Sequence, residues 1–222
     1  MITTPAKIIE PPYLNTQTDS RRWEFNFKNE QIVTYSHPVS ILFIGDSITH
    51  NWELNANFRQ YGYIVNRGIG GDRVNHLSQR FEGDAIQLKP KLIVIMIGVN
   101  NTWEVCSGEF TCEETMVMFE ENYRKMLTMA KEHNIPILPC TCLPTRCNSP
   151  VQDELLKQMN QSLAAMCADF GLEMVDYYAP MVAEDGHTLP ELYSADGLHP
   201  NSIGYQKMTE IITPMLDKYL NP

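Results

Sequence analysis

The stretch VSILFIGDSIT, residues 39–49, decides the fold of this chain. Its apolar part follows Pro38 and ends at Gly45, which is typical of a strand buried on both faces of a parallel sheet. Comparable apolar runs follow at 63–66, 91–98, 135–140 and 172–176. The sequence therefore predicts five parallel strands.

Segments with helical periodicity lie between and after these strands. Apolar side chains recur at helical spacing over 112–133 and over 151–169, which predicts two amphipathic helices. Asn201 or Ser202 is suited to cap a last helix, which we expect Pro214 to interrupt. This alternation predicts a three-layer α/β/α sandwich. Its five-stranded parallel sheet is expected to have the flavodoxin-like order 2-1-3-4-5, with a site at the C-terminal ends of the strands.

The composition is that of an acidic globular protein. The chain has 222 residues, and 17 Lys and Arg against 27 Asp and Glu give a formal charge of −10. An acidic surface repels phosphate backbones and anionic lipids, so nucleic-acid and membrane partners are disfavoured. We expect a single domain over 1–222, in which the polar residues 1–36 form an irregular extension that packs on the rest.

The sequence has no apolar run of the roughly 18 residues that a spanning helix needs. The first twenty residues lack a signal-peptide run, which favours a cytoplasmic protein, with the mature form of an exported one as the alternative. Cys140 and Cys142 end an apolar run and are expected to be buried thiols. In an exported protein, a Cys106–Cys112 or Cys142–Cys147 bridge is the alternative. The cysteines lack zinc-site spacing, and we expect no metal and no cofactor.

Two glycine-containing segments follow the first two strands, GDSIT at 45–49 and NRGIGGD at 66–72. Ser47 is expected to present its hydroxyl at the C-terminal edge of the sheet, although Asp46 or Ser47 acting only as a helix cap is an alternative. The glycines of the second segment permit a positive φ and let a backbone N–H point at a developing oxyanion, although a plain tight turn is the alternative.

Two further polar segments are GVNN at 98–101 and DGLHP at 196–200. The Asn100 side chain is a neutral donor that is suited to an oxyanion. Asp196 lies three residues before His199, so its carboxylate can reach one ring nitrogen while the other acts as a base toward a serine. Taken singly, GVNN is also typical of a turn, and the Asp196 and His199 pair of DGLHP is also typical of two solvent-exposed side chains.

Together the four segments resemble the SGNH (GDSL-type) hydrolase family from about Val39 to Tyr205. The resemblance implies a nucleophile at Ser47, with Asp196 and His199 completing a triad. It also implies oxyanion donors at Ser47, Gly71 and Asn100. The common GxND block has Asn101 in place of its Asp here. That departure is found in some acetylhydrolase-like branches, and the chain looks most like bacterial relatives of platelet-activating-factor acetylhydrolase and carbohydrate acetylesterases.

These residues predict a metal-independent serine esterase that acts on short-chain, chiefly acetyl, esters of small molecules or carbohydrates. The short acyl group is expected because no long apolar tunnel is evident. Because its base must be neutral, activity is expected to rise with pH between about 6 and 7. Asp46, Trp52 and Asn101 are assigned to substrate contact, with a packing role as the alternative for Trp52. A lysophospholipase or thioesterase, a non-catalytic binding protein and a nucleotide-binding protein are the alternatives, and a homodimer is left open.

Overall fold

The computed structural model describes residues 4–147 and 149–220. Within them, the main sheet has four parallel strands in the order β2-β1-β3-β4. The strands are β1 (Ile41–Gly45), β2 (Ile64–Gly68), β3 (Leu92–Met96) and β4 (Ile137–Pro139). The order of the first four predicted strands is therefore confirmed.

The prediction of a fifth strand over 172–176 is wrong. This segment makes only one isolated parallel bridge, between Val175 and Cys140. Beyond the bridge, the Thr141 hydroxyl accepts a hydrogen bond from the Tyr177 N–H at 2.9 Å. In a longer strand the Tyr177 N–H would bond the backbone of the neighbouring strand, but here it bonds the Thr141 side chain. The strand pairing therefore ends at Val175.

Eight α-helices pack around the sheet in the described residues. They are α1 (Arg22–Tyr35), α2 (Ser47–His50), α3 (Leu54–Phe58), α4 (Val74–Asp84), α5 (Val99–Cys106), α6 (Cys112–Glu132), α7 (Pro150–Phe170) and α8 (Ser202–Leu220). None of them is long and apolar enough to cross a membrane. All six cysteines have free thiols, and Cys140 and Cys142 are buried as predicted.

Alternate strand residues enter two separate cores, one on each face of the sheet. Leu42 and Ile44 belong to a core that α1, α4 and α6 cover, together with part of α7. Ile41 and Phe43 belong to the opposite core, which α3 and α8 cover. Helices on both faces of a parallel sheet give the predicted three layers.

The prediction of an irregular extension over 1–36 is wrong, because α1 occupies its second half. The buried face of α1 carries Arg22, Phe25, Asn29 and Ile32. Two of these four residues are polar, so the sequence lacks the apolar stripe by which an amphipathic helix is recognised.

Helix α8 is continuous through Pro214, contrary to the predicted interruption. Proline removes one backbone donor and disfavours a helix interior. Here Ile212 and Leu216 are buried on both sides of it, and this packing holds the last turns in place. The predicted cap is confirmed at Asn201, whose side-chain oxygen accepts from the N–H groups of residues 203 and 204 at 2.9 and 3.0 Å.

Strand β2 lies at one edge of the sheet, where side chains bond its backbone. The Arg67 guanidinium donates to the Asn66 carbonyl at 2.9 Å, and Arg21 donates to the Gly68 carbonyl at 2.8 Å. The Asn66 side-chain oxygen accepts from the Gly68 N–H at 2.8 Å. Three backbone groups of this edge strand are therefore bonded to side chains of the chain itself.

Candidate active site

Ser47 lies at the first position of α2, directly beyond the end of β1. Asp46 caps this short helix, and its carboxylate accepts from the Ile48 N–H at 2.9 Å. Gly68 lets the helix approach β2, because a Cβ atom there would lie 2.2 Å from the His50 nitrogen. The Ser47 side chain is thereby held at the C-terminal edge of the sheet, with its hydroxyl 2.8 Å from His199 Nε2.

A tight turn before α8 positions His199. One oxygen of the Asp196 carboxylate accepts from the Leu198 and His199 N–H groups at 2.9 and 3.0 Å. The other oxygen lies 2.7 Å from His199 Nδ1. A ring that donates from Nδ1 has Nε2 available to accept the Ser47 hydroxyl.

The Asp196 carboxyl is held in its ionised form. Desolvation alone would raise its pKa, but the hydrogen bonds from the His199 N–H, the His199 ring and the Leu198 N–H outweigh it. They lower the pKa of Asp196 to about 2. A carboxylate of this kind can both orient an imidazole and stabilise its protonated form.

Tyr205 connects the histidine side of the site to the serine side. Its hydroxyl donates to the Ile48 carbonyl in α2 at 2.9 Å. Tyr205 lies in the first turns of α8, three residues beyond Ser202, so the helix after the His199 turn contacts the helix that carries Ser47. No role was predicted for this tyrosine, although it is the last residue of the stretch that resembles the hydrolase family.

The glycine-containing loop after β2 reaches the nucleophile. A Cβ atom at Gly70 would lie 3.9 Å from the Ser47 Cβ atom. Gly71 has a φ of +75° and is exposed beside this contact. Glycine adopts that left-handed conformation at little cost, whereas a larger residue would be strained.

Asn100, at the start of α5, contacts the same loop. Its side-chain Nδ2 donates to the Asp72 carbonyl at 2.9 Å. This bond uses one of the two N–H groups of the amide, and the second bonds no acceptor within the described residues. The structure thus places Asn100 beside Gly71, because the carbonyl that Asn100 bonds belongs to Asp72, the residue that follows Gly71.

A buried ionic network supports this loop. Arg80 donates to the Asp72 carboxylate at 2.8 Å, to Asp84 at 3.1 Å and to the Gly45 carbonyl at 3.1 Å. Arg22 closes the network with two hydrogen bonds to Asp84. All four charged side chains are buried, so Arg80 connects the glycine-containing loop to the end of β1, two residues before Ser47. This network was not predicted from the sequence.

The predicted substrate contacts of Asp46, Trp52 and Asn101 are wrong, because all three side chains lie inside the protein. Asp46 is 1% exposed and serves as the cap of α2. Trp52 is 5% exposed and packs in a cluster of aromatic rings. Asn101 is fully buried, and its side-chain oxygen accepts from the Val74 N–H at 3.0 Å, where α4 begins.

Burial has a large effect on Asp46. Desolvation, with a smaller contribution from the negative charge of Asp72, raises the pKa of its carboxyl. The hydrogen bond from the Ile48 N–H offsets only part of this effect, and the resulting pKa is about 7. Asp46 therefore takes up a proton near neutral pH directly beside the candidate nucleophile.

In the described part of the chain, no three His, Cys, Asp or Glu side chains are grouped closely enough to hold a metal ion.

A hydrogen-bonded serine, histidine and aspartate at the C-terminal edge of a parallel sheet are typical of the class of serine hydrolases. The sequence agrees with this class, since the model of the GDSL-like lipase/acylhydrolase family matches residues 43–207. The chain belongs to this family, and it is a carboxylic ester hydrolase.

Relatives and solved structures point the same way. An acetylxylan esterase from Geobacillus stearothermophilus is 27% identical over 195 residues, which cover 74% of this chain and 88% of the relative. The alpha1 subunit of platelet-activating factor acetylhydrolase IB from Rattus norvegicus is 26% identical over 188 residues, with 81% and 76% covered. A crystal structure of a GDSL-like lipase from Bacteroides thetaiotaomicron superposes with a TM-score of 0.76 at 27% identity, covering 92% of this chain and all of the other.

Proposed function

We propose that this protein is a serine esterase that removes short acyl groups, chiefly acetyl, from carbohydrate or other small-molecule esters. The observation that carries the proposal is the pair of hydrogen bonds from Asp196 through His199 to Ser47, at 2.7 and 2.8 Å. Relatives named acetylxylan esterase and platelet-activating factor acetylhydrolase support the acetyl preference.

The reaction begins at the Ser47 hydroxyl. His199 Nε2 accepts its proton as Oγ attacks the ester carbonyl, and the resulting imidazolium is stabilised by the Asp196 carboxylate. The tetrahedral intermediate carries a negative charge on the former carbonyl oxygen. We assign that oxyanion to the backbone N–H groups of Ser47 and Gly71 and to the side-chain amide of Asn100.

Collapse of the intermediate breaks the bond to the alcohol oxygen. His199 returns the proton to that oxygen, the alcohol leaves, and an acyl-enzyme on Ser47 remains. A water molecule then gives its proton to His199 and attacks the acyl-enzyme. The second intermediate collapses to the free acid, and the Ser47 hydroxyl is restored.

A panel of p-nitrophenyl acetate and O-acetylated sugars, assayed with wild type and Ser47→Ala, tests this proposal. Wild type should release acetate, and loss of the nucleophile should lower the rate by a factor of about a million, toward the uncatalysed rate. Ser202→Ala, at the start of α8, is a matched control that removes a hydroxyl outside the site. Full activity in Ser47→Ala, or no turnover of any ester by the folded wild type, would refute the proposal.

A chain-length series decides between the acetyl preference and the lipid-directed alternative. We expect kcat/KM to fall as p-nitrophenyl esters lengthen from acetate to butyrate and octanoate. Faster hydrolysis of the octanoate than of the acetate would favour a lysophospholipase or thioesterase with the same triad.

A further inference from the structure

A cationic cleft runs along β2, outside the triad. Its volume is about 620 Å³, and it lies between α1 and the start of α3. Four of its lining residues are basic, namely Arg21, Lys28, His37 and Arg67, and within the described chain no acidic side chain lines it. This concentration of positive charge is unusual for a protein whose formal charge is −10.

Arg67 is the central feature of the cleft, because its charge is buried and bonds no carboxylate directly in the described residues, while the charges of Asp84 and Glu24 act on it only from a distance. The residue is only 3% exposed. Its hydrogen bonds within the described residues go to two neutral acceptors, the Asn29 side-chain oxygen at 2.8 and 3.1 Å and the Asn66 carbonyl at 2.9 Å. No ion pair to Arg67 occurs within residues 4–147 and 149–220.

The Arg67 guanidinium is well prepared to bind an anion. It has five N–H groups, and the three hydrogen bonds leave two without an acceptor in the described residues. The Cζ atom of Arg67 lies 4.8 Å from the centre of the Phe25 ring, and this cation–π contact helps to hold the guanidinium in place. Burial lowers the pKa of Arg67 to about 10, so the group remains charged at neutral pH.

Arg21 and Lys28 add charge at the same cleft, and one carboxylate serves both. Glu24 accepts from Arg21 at 2.8 Å and from Lys28 at 2.6 Å. Two cations sharing one anion leave one positive charge uncompensated, in addition to that of Arg67. An oxyanion ligand would therefore meet a net positive site with guanidinium donors, the chemistry that binds carboxylates and phosphates well.

The end of the cleft at Asn66 and Arg21 adjoins the candidate active site. The Asn66 side chain, which lines the cleft, donates to the Thr49 carbonyl in α2 at 2.8 Å. Arg21 donates to the Gly68 carbonyl, two residues before the glycine that contacts Ser47. A substrate with its ester at Ser47 can thus extend past α2 into the cleft.

We infer that this cleft binds a negatively charged group, a carboxylate or a phosphate, on the alcohol half of the ester substrate; the inference rests on the proposed function. The acetyl group is too small to reach beyond the triad, so the charge must belong to the alcohol. An acetylated acidic sugar or sugar phosphate is the class of substrate that fits both parts of the site.

Three acetylated disaccharides test the inference. They have the same mono-acetylated sugar, joined to glucose, glucuronic acid or glucose 6-phosphate. We expect kcat/KM for the charged substrates to exceed that for the neutral one by about tenfold at low salt, with the preference declining in 0.5 M NaCl. A higher kcat/KM for the glucuronic acid substrate would indicate that the cleft binds a carboxylate, and a higher value for the glucose 6-phosphate substrate would indicate a phosphate.

Variants connect the preference to the cleft. Lys28→Gln should lower the ratio of charged to neutral kcat/KM about two- to fivefold, since Lys28 is half exposed. Arg67→Met should abolish the preference, while Arg67→Lys should retain part of it. Lys218→Gln is the matched control, because Lys218 is also exposed and also bonds a glutamate at 2.6 Å, but lies on α8.

The outcomes separate this inference from the proposed function. Equal kcat/KM for all three disaccharides, or a preference that Lys28→Gln and Arg67→Met leave intact, overturns the cleft assignment while the esterase stands. If no ester is hydrolysed, calorimetric titration of the protein with glucuronate, glucose 6-phosphate and glucose still tests the cleft. Binding of the anions that weakens in Lys28→Gln supports the anion site, and no binding of any of them overturns it.

Discussion

Replacing Asp46 by asparagine should stabilise this protein relative to wild type, by an amount that grows as the pH rises from acidic to neutral. The folded state holds the Asp46 carboxyl with a pKa of about 7, against 3.8 for the same group in an ordinary setting. Between these values the folded state binds a proton that the unfolded state releases, so the stability of the wild type falls as the pH rises. Asparagine resembles the protonated acid in shape, can also cap α2, and does not titrate.

The size of the effect follows from the pH range. Each unit of pKa shift corresponds to about 1.4 kcal/mol. About two units of the shift lie between pH 5 and pH 7, and above pH 7 both states are ionised. The advantage of Asp46→Asn over wild type should therefore grow by at most about 3 kcal/mol from pH 5 to pH 8.

Thermal unfolding of both proteins at pH 5, 6, 7 and 8, followed by circular dichroism, measures this difference. For a chain of this length 1 kcal/mol corresponds to about 2–4 °C in Tm. Glu114→Gln is the control. The hydrogen bonds from Thr111 lower the pKa of Glu114, and within the described residues no histidine contacts it, so its contribution is lost only in acid and the difference from wild type should be nearly constant over the same range. A Tm difference for Asp46→Asn that is the same at pH 5 and pH 8 would refute the reasoning.

Three further changes test the parts of the site. Asn100→Ala should lower kcat by about 100- to 1000-fold with little change in KM, because it removes an oxyanion donor; a decrease of less than tenfold in steady-state assays would contradict that role. Arg80→Met should lower the free energy of unfolding by about 3–5 kcal/mol in urea, because it leaves Asp72 buried without its cation, and a loss below 1 kcal/mol would show that the network is dispensable. Tyr205→Phe should cost about 1 kcal/mol of stability and lower kcat several-fold, since the hydrogen bond to Ile48 joins α8 to α2; unchanged kcat would separate that bond from catalysis.

The position of the site was predictable because each of its parts is local in the sequence. Ser47 and His199 are 152 residues apart, yet one follows a buried strand and the other precedes a capped helix. Parallel strands end at one edge of the sheet, so such segments converge without any knowledge of their contacts. The same reasoning placed Asn100 beside the glycine-containing loop.

The buried polar residues were not predictable for the opposite reason. Arg22 and Asp84 are 62 residues apart, and charged side chains taken singly are expected at the surface. Only their pairing makes burial tolerable, and a single sequence does not display the pairing. Asn101 and Asp46 were misassigned in the same way, because a polar residue beside a predicted nucleophile resembles a ligand contact until its burial is known.

The bonding of β2 has a consequence for how molecules of this protein meet one another. An open strand at the margin of a sheet usually invites a neighbour to add its own strand, which leads to continuous intermolecular sheets or to aggregation. Here an incoming strand would have to displace the Arg67, Arg21 and Asn66 side chains from the backbone before it could bond there. The molecule is thereby protected against the addition of a strand along this margin.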